Sequence, residues 1–242
     1  VGDLAGQAVA HWHWGATLLL AAGDLPAADR ILRRGRALAR EAGVPTAEAW
    51  TLAHLVQLAY FTSIPTAETR LFQATAESLA DPEDHVIQAH LAMNRAGLEI
   101  ASGNLEAAAD AAQQCREFAR VVGVASYEQA GLLLRGLSLL ALGREEEAWA
   151  TGLRAARMAL DAGNTFQFGV AVQQLARLTE ARDPATAARL WGAATLRSPV
   201  IPTFEAIVFP ARAARALGAR FDVEAEGGRR RSAEAALDLA IG

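Results

Sequence analysis

The 242 residues of this chain are enough to bury a sizeable core, as one large domain or as two small ones. Hydrophobic residues make up 52% of the chain and aromatic residues only 6%, and the abundance of alanine and leucine favours helices over strands. A net charge of −4 argues against direct binding to nucleic acid or to an anionic membrane, and a single cysteine excludes an internal disulfide.

We expect no targeting signal at the start of this sequence. No secretory signal opens the sequence, and no apolar run approaches the roughly 20 residues that span a bilayer. The sequence begins at Val1, inside a helix-like pattern and without a start methionine, so we interpret it as a piece of a longer polypeptide. Together with the lone cysteine, these features predict a cytoplasmic location.

The first predicted helix contains the stretch His11-Trp12-His13-Trp14. On a helix, His11 and His13 point about 200° apart, so they cannot both bind one metal ion from that helix. Trp12 falls on a position that repeats along the chain, where a large apolar ring is expected to pack between helices. We therefore interpret this stretch as structural and predict no metal site.

Turn signals recur about every 20 residues along the chain, and helix-like segments lie between them. One series consists of Gly23, Ser63, Gly103, Gly143 and Asp183, and the other of Gly43, the turn at 81–83, Gly123 and Gly163. Breakers at this spacing predict antiparallel helical hairpins stacked in series, with a period of 40 residues.

Compact and apolar residues also repeat within each 40-residue unit. In the first unit they are Trp12, Ala16, Ala28 and Leu32. Compact residues also recur at 35, 75, 115 and 155, although the threonine at 75 is polar and β-branched. Small side chains at fixed spacing let successive helices approach closely. The spacing resembles the tetratricopeptide repeat (TPR), with a longer period and weaker aromatic positions. We predict an all-α, right-handed superhelix of about five TPR-like hairpins over residues 1–197.

The sequence changes character after residue 188. This part of the chain resembles the end of the helical-repeat region in bacterial regulators of the MalT/LuxR type. The resemblance lies in the run Ala188-Arg189-Leu190-Trp191-Gly192-Ala193-Ala194, followed by a proline-containing loop and by a helix that starts near Ser232. We expect a turn at Gly227-Gly228, Ser232 as a helix N-cap, and residues 198–242 as a helical cap on the same domain.

The resemblance implies a modular transcriptional or signalling regulator. Its other domains would be an ATPase switch and, in some relatives, a cyclase or a helix-turn-helix DNA reader, and these would be partners of this region. The P-loop motif requires a lysine, and this chain has none, so no ATPase site of that type lies within it.

Candidate catalytic residues do not form a recognisable pattern. His54, His85 and His90 offer no spacing that would hold zinc from one helix, and we interpret them as surface or hairpin-contact residues. Cys115 occupies a small-residue position on a second helix, where a buried, inert thiol is expected. We therefore expect no enzyme, no catalytic residue and no cofactor.

The first helix of each hairpin in a TPR-like superhelix lines the concave face. Equivalent positions on those helices predict a binding surface for a peptide or a small effector. The residues predicted to form this surface are His13, Thr17, Gln57, Met93, Gln173 and Arg177.

Three functions follow from these patterns. The first is a non-catalytic sensor or protein-interaction domain that binds a partner segment or effector on its concave face. The second is a metabolite receptor with a closed pocket between repeats, lined by Gln57, Trp14 and His54. The third is self-association of the chain through the ends of the solenoid, which would make a homo-oligomer.

Overall fold

The computed structural model describes residues 3–19, 23–62 and 65–241, and within these residues the secondary structure is helical, with no strand. The first ten helices form five hairpins with a 40-residue period, which confirms the predicted all-α repeat architecture. They are α1 (Leu4–Thr17), α2 (Leu25–Ala42), α3 (Pro45–Thr62), α4 (Ala67–Leu79), α5 (His85–Ser102), α6 (Leu105–Val122), α7 (Ala125–Ala141), α8 (Glu145–Asp161), α9 (Thr165–Thr179) and α10 (Pro184–Thr195).

The glycines of the two predicted series lie at turns between helices. Six of them adopt positive φ angles between 65° and 78°, a conformation that strains any residue with a side chain. At the end of α2, for example, Gly43 is left-handed and the Val44 amide donates to the Ala39 carbonyl at 2.9 Å, which completes the helix cap. The predicted turns are thereby confirmed at the glycine positions, whereas Ser63 lies outside the described residues.

The hairpins stack in chain order, and the two helices of each hairpin make different contacts with the neighbouring hairpins. We call α1, α3, α5, α7 and α9 the inner helices, and α2, α4, α6, α8 and α10 the outer helices. Each inner helix packs against the next inner helix, while neighbouring outer helices in the described chain make no contact of similar extent. The inner helices are therefore closer together, and they line the concave side of the solenoid, which we call the inner face.

Small residues at the repeated positions allow the close approach of the helices. A Cβ atom on Gly35 of α2 would lie 3.0 Å from the Cβ of His11 on α1. In the third hairpin, Ala96, Ala108 and Cys115 are completely buried. Helix α3 is buried on nearly its whole circumference, because it packs against α1, α2, α4, α5 and a later segment of the chain.

The chain beyond α10 forms short helices. They are a 3-10 turn (Pro202–Phe204), α11 (Glu205–Val208), α12 (Ala211–Leu217), α13 (Arg220–Arg229) and α14 (Ala233–Ile241). Helix α13 packs along α10, and α14 packs against α8, α9 and α10. The Ser232 hydroxyl accepts a hydrogen bond from the Ala235 amide at 3.1 Å, which confirms Ser232 as the N-cap of α14.

The expected turn at Gly227-Gly228 is wrong, because both residues lie inside α13. The reason is a close crossing of two helices. A Cβ atom on Gly228 would lie 1.9 Å from the Arg189 carbonyl oxygen, and one on Gly192 would lie 1.8 Å from the Ala225 carbonyl oxygen. Glycine is present here because the backbones of α10 and α13 nearly touch.

None of the helices in the described part of the chain combines the length and the apolar character that a membrane-spanning helix needs.

Candidate functional site

The inner face of the solenoid is covered over hairpins two to five by a segment of the same chain. We call residues 198–208 the return segment. Its 3-10 turn packs against α3 and α5, and α11 packs against α7 and α9. All four of these are inner helices, so the return segment lies across the concave side that was predicted to bind a partner.

Three apolar side chains anchor the return segment. Ile201, Phe204 and Val208 are buried, and they share one hydrophobic cluster with Tyr60 of α3 and Met93 of α5. The ring centroids of Phe204 and Tyr60 are 6.1 Å apart. The three anchors follow the spacing i, i+3 and i+7, which places them on one side of a helical turn.

Two hydrogen bonds from neutral side chains add to this apolar contact. The Gln173 Nε2 of α9 donates to the Ser198 carbonyl at 3.1 Å, and the Thr203 hydroxyl donates to the Tyr60 carbonyl at 2.8 Å. At the start of the segment Gly169 makes room, because a Cβ atom there would lie 2.6 Å from the Ser198 Cβ. The segment is therefore held by its fit to the surface, by a hydrogen bond that its Ser198 carbonyl accepts and by a hydrogen bond that its Thr203 hydroxyl donates.

Prolines explain why the return segment does not continue a long helix. Pro199, Pro202 and Pro210 flank its two short helical pieces, and proline interrupts a helix because it lacks an N–H and clashes with the preceding turn. The segment can thus begin beside α9 after the end of α10, reach Tyr60 at the end of α3 and come back to α7 and α9.

The structure divides the predicted binding residues into two groups. His13 and Thr17 on α1 are exposed, and the Thr17 hydroxyl donates to the His13 carbonyl at 2.9 Å. Gln57, Met93 and Gln173 are buried, and Met93 and Gln173 are in contact with the cluster or the backbone of the return segment. The exposed part of the predicted surface is therefore at hairpin one.

Arg177, the sixth predicted residue, has a different partner. It is half-buried and pairs with Glu180, whose carboxylate is buried at the end of α9. The other Glu180 oxygen accepts from the Arg212 amide at 2.7 Å and from the Ala213 amide at 3.3 Å, at the start of α12. The contacts of Arg177 thus serve to fasten the end of the chain to the last hairpin.

Aromatic rings form a continuous row along hairpins one to four. Trp12 stacks on Trp50 with centroids 5.1 Å apart, Trp50 meets His90 edge to face at 5.4 Å, and His54 lies 4.7 Å from His90. The His90 Nδ1 and the Tyr127 hydroxyl are 3.0 Å apart. Individual positions of this row were visible in the sequence, but nothing local to His54 or His90 indicated that the two rings meet.

Burial controls the charge of the histidines in this row. It lowers the pKa of His54 to about 4, and it also lowers the pKa of His90, with a further contribution from neighbouring His54. Both imidazoles are therefore neutral at pH 7, and the interpretation of His54 and His90 as hairpin-contact residues agrees with the structure. Cys115 is also buried, which raises the pKa of its thiol to about 12, so it is not a thiolate.

The end of the aromatic row at hairpin one is open to solvent. The Trp14 side chain is 55% exposed, and exposed His13 stacks on Trp12 with centroids 4.1 Å apart. In the described ranges, no group of three or more histidine, cysteine, aspartate or glutamate side chains is placed to hold a metal ion. The open end therefore presents the Trp14 indole and the His13 imidazole to solvent.

Two surface clefts lie elsewhere. A cleft of about 180 Å³ is lined by residues of α2, α3 and α4 that include Arg33 and Phe72, and a wider one of about 680 Å³ lies between Asp183 and Leu239. Neither cleft is lined by Gln57, Trp14 or His54, the residues expected around a metabolite pocket.

Comparison with known proteins does not identify a family: neither the protein-family models nor the curated proteins include a match to this chain.

Proposed function

We propose that this chain is a non-catalytic interaction domain that binds a segment of a partner protein on its inner face. The observation that carries the proposal is that the inner face already holds a peptide segment of this chain through three buried apolar side chains. Hydrophobic anchors with a few directed hydrogen bonds are the usual means by which a preformed groove recognises a peptide.

Hairpin one offers the surface that a partner reaches first. His13, Thr17 and Trp14 are exposed there, next to the stacked pair of Trp12 and Trp50. Exposed aromatic rings beside polar groups are common at sites where proteins bind one another, because they bury a large area at little cost in conformational entropy.

The setting of this activity is proposed from the sequence. The resemblance to MalT/LuxR-type regulators favours a bacterial signalling or transcriptional regulator, in which the partner segment comes from an ATPase switch, a cyclase or a helix-turn-helix domain. Binding would then favour one arrangement of the domains over another. The alternative, a metabolite receptor, has less support, because neither cleft is lined by the three residues expected for it.

The test is a selection of binding peptides. A library of random dodecapeptides displayed on phage is selected on the immobilised chain, and the affinities of enriched peptides are measured by fluorescence anisotropy. We expect Thr17→Arg on the inner helix α1 to weaken binding at least about tenfold. Ala74→Arg, at an exposed position of outer helix α4, is the matched control and is expected to bind within about twofold of the original chain.

Two results would contradict the proposal. One is that the selection enriches no peptide. The other is that the enriched peptides bind Thr17→Arg as tightly as the original chain, since they would then bind outside hairpin one, the exposed part of the inner face.

A further inference from the structure

The contacts that attach the return segment to the solenoid differ from the contacts between neighbouring hairpins. Each hairpin packs directly on the next, and this chain of contacts runs from α1 to α10 without the return segment. The return segment instead contacts residues far away in sequence, such as Tyr60, which is 143 residues from Thr203. It is therefore an occupant of a surface that the hairpins themselves build.

We propose that the return segment is an intramolecular ligand of the inner face, and that a partner peptide with the same pattern of side chains displaces it. The pattern is an aliphatic, an aromatic and an aliphatic residue at i, i+3 and i+7, as in Ile201, Phe204 and Val208. This inference rests on the proposed function and adds to it the chemistry of the partner.

The contacts of the return segment define what the partner must present. An aromatic ring fits beside Tyr60, and aliphatic side chains on either side enter the cluster around Met93. A hydroxyl one residue before the ring donates to the Tyr60 carbonyl, and a backbone carbonyl accepts from Gln173. Because the inner face provides neutral groups for these bonds, binding is expected to depend weakly on salt concentration.

The size of the segment makes exchange feasible. Its regular structure consists of one 3-10 turn and four residues of α11, and it buries three large side chains. A segment with few buried contacts opens locally at a lower free energy than the helices beneath it. A partner can bind only those molecules in which the return segment has opened. The apparent affinity of the partner is therefore the intrinsic affinity multiplied by the open fraction.

The test adds a fluorescein-labelled peptide with the sequence of residues 197–210 to the full chain. In the variant Phe204→Ala/Val208→Ala the return segment binds the inner face more weakly, while the sequence of the inner helices is unchanged. We expect the peptide to bind this variant at least about tenfold more tightly than the original chain, measured by fluorescence anisotropy. Val223→Ala, at a position 71% exposed on α13, is the control variant and is expected to bind like the original chain. A control peptide with alanine in place of Phe204 is expected to lose binding to the double variant.

Equal peptide affinity for the original chain and a folded double variant, with folding checked by circular dichroism, would overturn the proposal. If the double variant does not fold, hydrogen exchange on the original chain decides instead. We expect the amides of residues 203–208 to exchange at least about tenfold faster than those in the middle of α5 and α7. Exchange of both groups at the same rate, through one global opening, would overturn the proposal as well. The proposed function is tested separately, by Thr17→Arg at hairpin one, so the two failures can be distinguished.

Discussion

At the scale of single residues, the most unusual feature is a pair of neutral histidines in the interior. His54 on α3 and His90 on α5 are both buried, and their ring centroids are 4.7 Å apart. The His54 Nδ1 bonds the Trp50 carbonyl at 2.8 Å, and His13 and Tyr127 face the pair from α1 and α7. No carboxylate is paired with either ring in the described structure, so a proton on one of them would be an uncompensated buried charge.

This pair makes the stability of the chain sensitive to acid. The unfolded chain binds a proton at His54 as the pH falls through about 6.5, whereas the folded chain does so only near pH 4, because burial lowers the pKa of His54. The free energy of unfolding therefore decreases as the pH falls through this range, and His54 alone accounts for about 2 kcal/mol by pH 5.

Urea unfolding at pH 7.5 and at pH 5.0 measures this effect. We expect the variant His54→Phe, which keeps a ring but cannot titrate, to lose about 2 kcal/mol less between the two pH values than the original chain. The comparison uses the change with pH within each protein, so a constant cost of the larger ring cancels. An identical loss in both proteins would show that His54 is not buried as a neutral side chain.

At the scale of helices, the crossing of α10 and α13 attaches the end of the chain to the last hairpin. Gly192 and Gly228 face the backbone of the opposite helix, and Arg189 pairs with Glu224 at 2.8 Å beside the crossing. Two helices that are this close gain dispersion contacts along their backbones, and any side chain at the two glycines would separate them.

Neighbouring glycines of α13 allow a matched test of the crossing. We expect Gly228→Ala to lower the free energy of unfolding by about 2 to 3 kcal/mol, because its Cβ would lie 1.9 Å from the Arg189 carbonyl oxygen. Gly227→Ala has no atom within 4 Å of the new Cβ and is expected to raise stability by up to about 1 kcal/mol, since alanine favours a helix over glycine.

Thermal unfolding followed by circular dichroism separates the two variants. A lower melting temperature for Gly228→Ala and an unchanged or higher one for Gly227→Ala is the expected result. If both variants melt alike, the two helices do not touch through their backbones at this point.

At the scale of the whole molecule, the return segment changes how stability is distributed along the solenoid. In a repeat protein each unit contacts only its neighbours, so the ends unfold more easily than the middle. Here the return segment joins α3, α5, α7 and α9 through contacts that are distant in sequence, whereas it makes no comparable contact with α1 or α2 in the described structure. Hairpin one is therefore expected to open before hairpins two to five.

Hydrogen exchange on Trp12→Ala tests this distribution. Removing the ring that stacks on Trp50 is expected to speed exchange of the amides in α1 and α2 at least about tenfold and to leave those in α7 and α9 unchanged. Trp14→Ala is the matched control, because Trp14 lies on the same helix but is 55% exposed. Faster exchange throughout the chain in Trp12→Ala would mean that all five hairpins unfold as one unit.

The sequence by itself determined the helices, their turns and their pairing into hairpins. These features depend on contacts within about 40 residues: the positive φ that only glycine adopts easily, the side chains that cap helices, and the small residues that let adjacent helices meet. His13, Thr17, Met93 and Gln173, which were predicted from their equivalent positions in the repeats, lie on the first helices of their hairpins.

Only the tertiary structure decided which part of that face is exposed. Ile201, Phe204 and Val208 could bury themselves against any apolar surface, and nothing near them in sequence specifies Tyr60, which the chain reaches only after the superhelix has curved. For the same reason the sequence predicts a turn at Gly227-Gly228, whereas the structure shows a helix there that packs closely against α10. Local patterns determine helices because helix hydrogen bonds are local, whereas the meeting of distant surfaces depends on the summed geometry of all the hairpins between them.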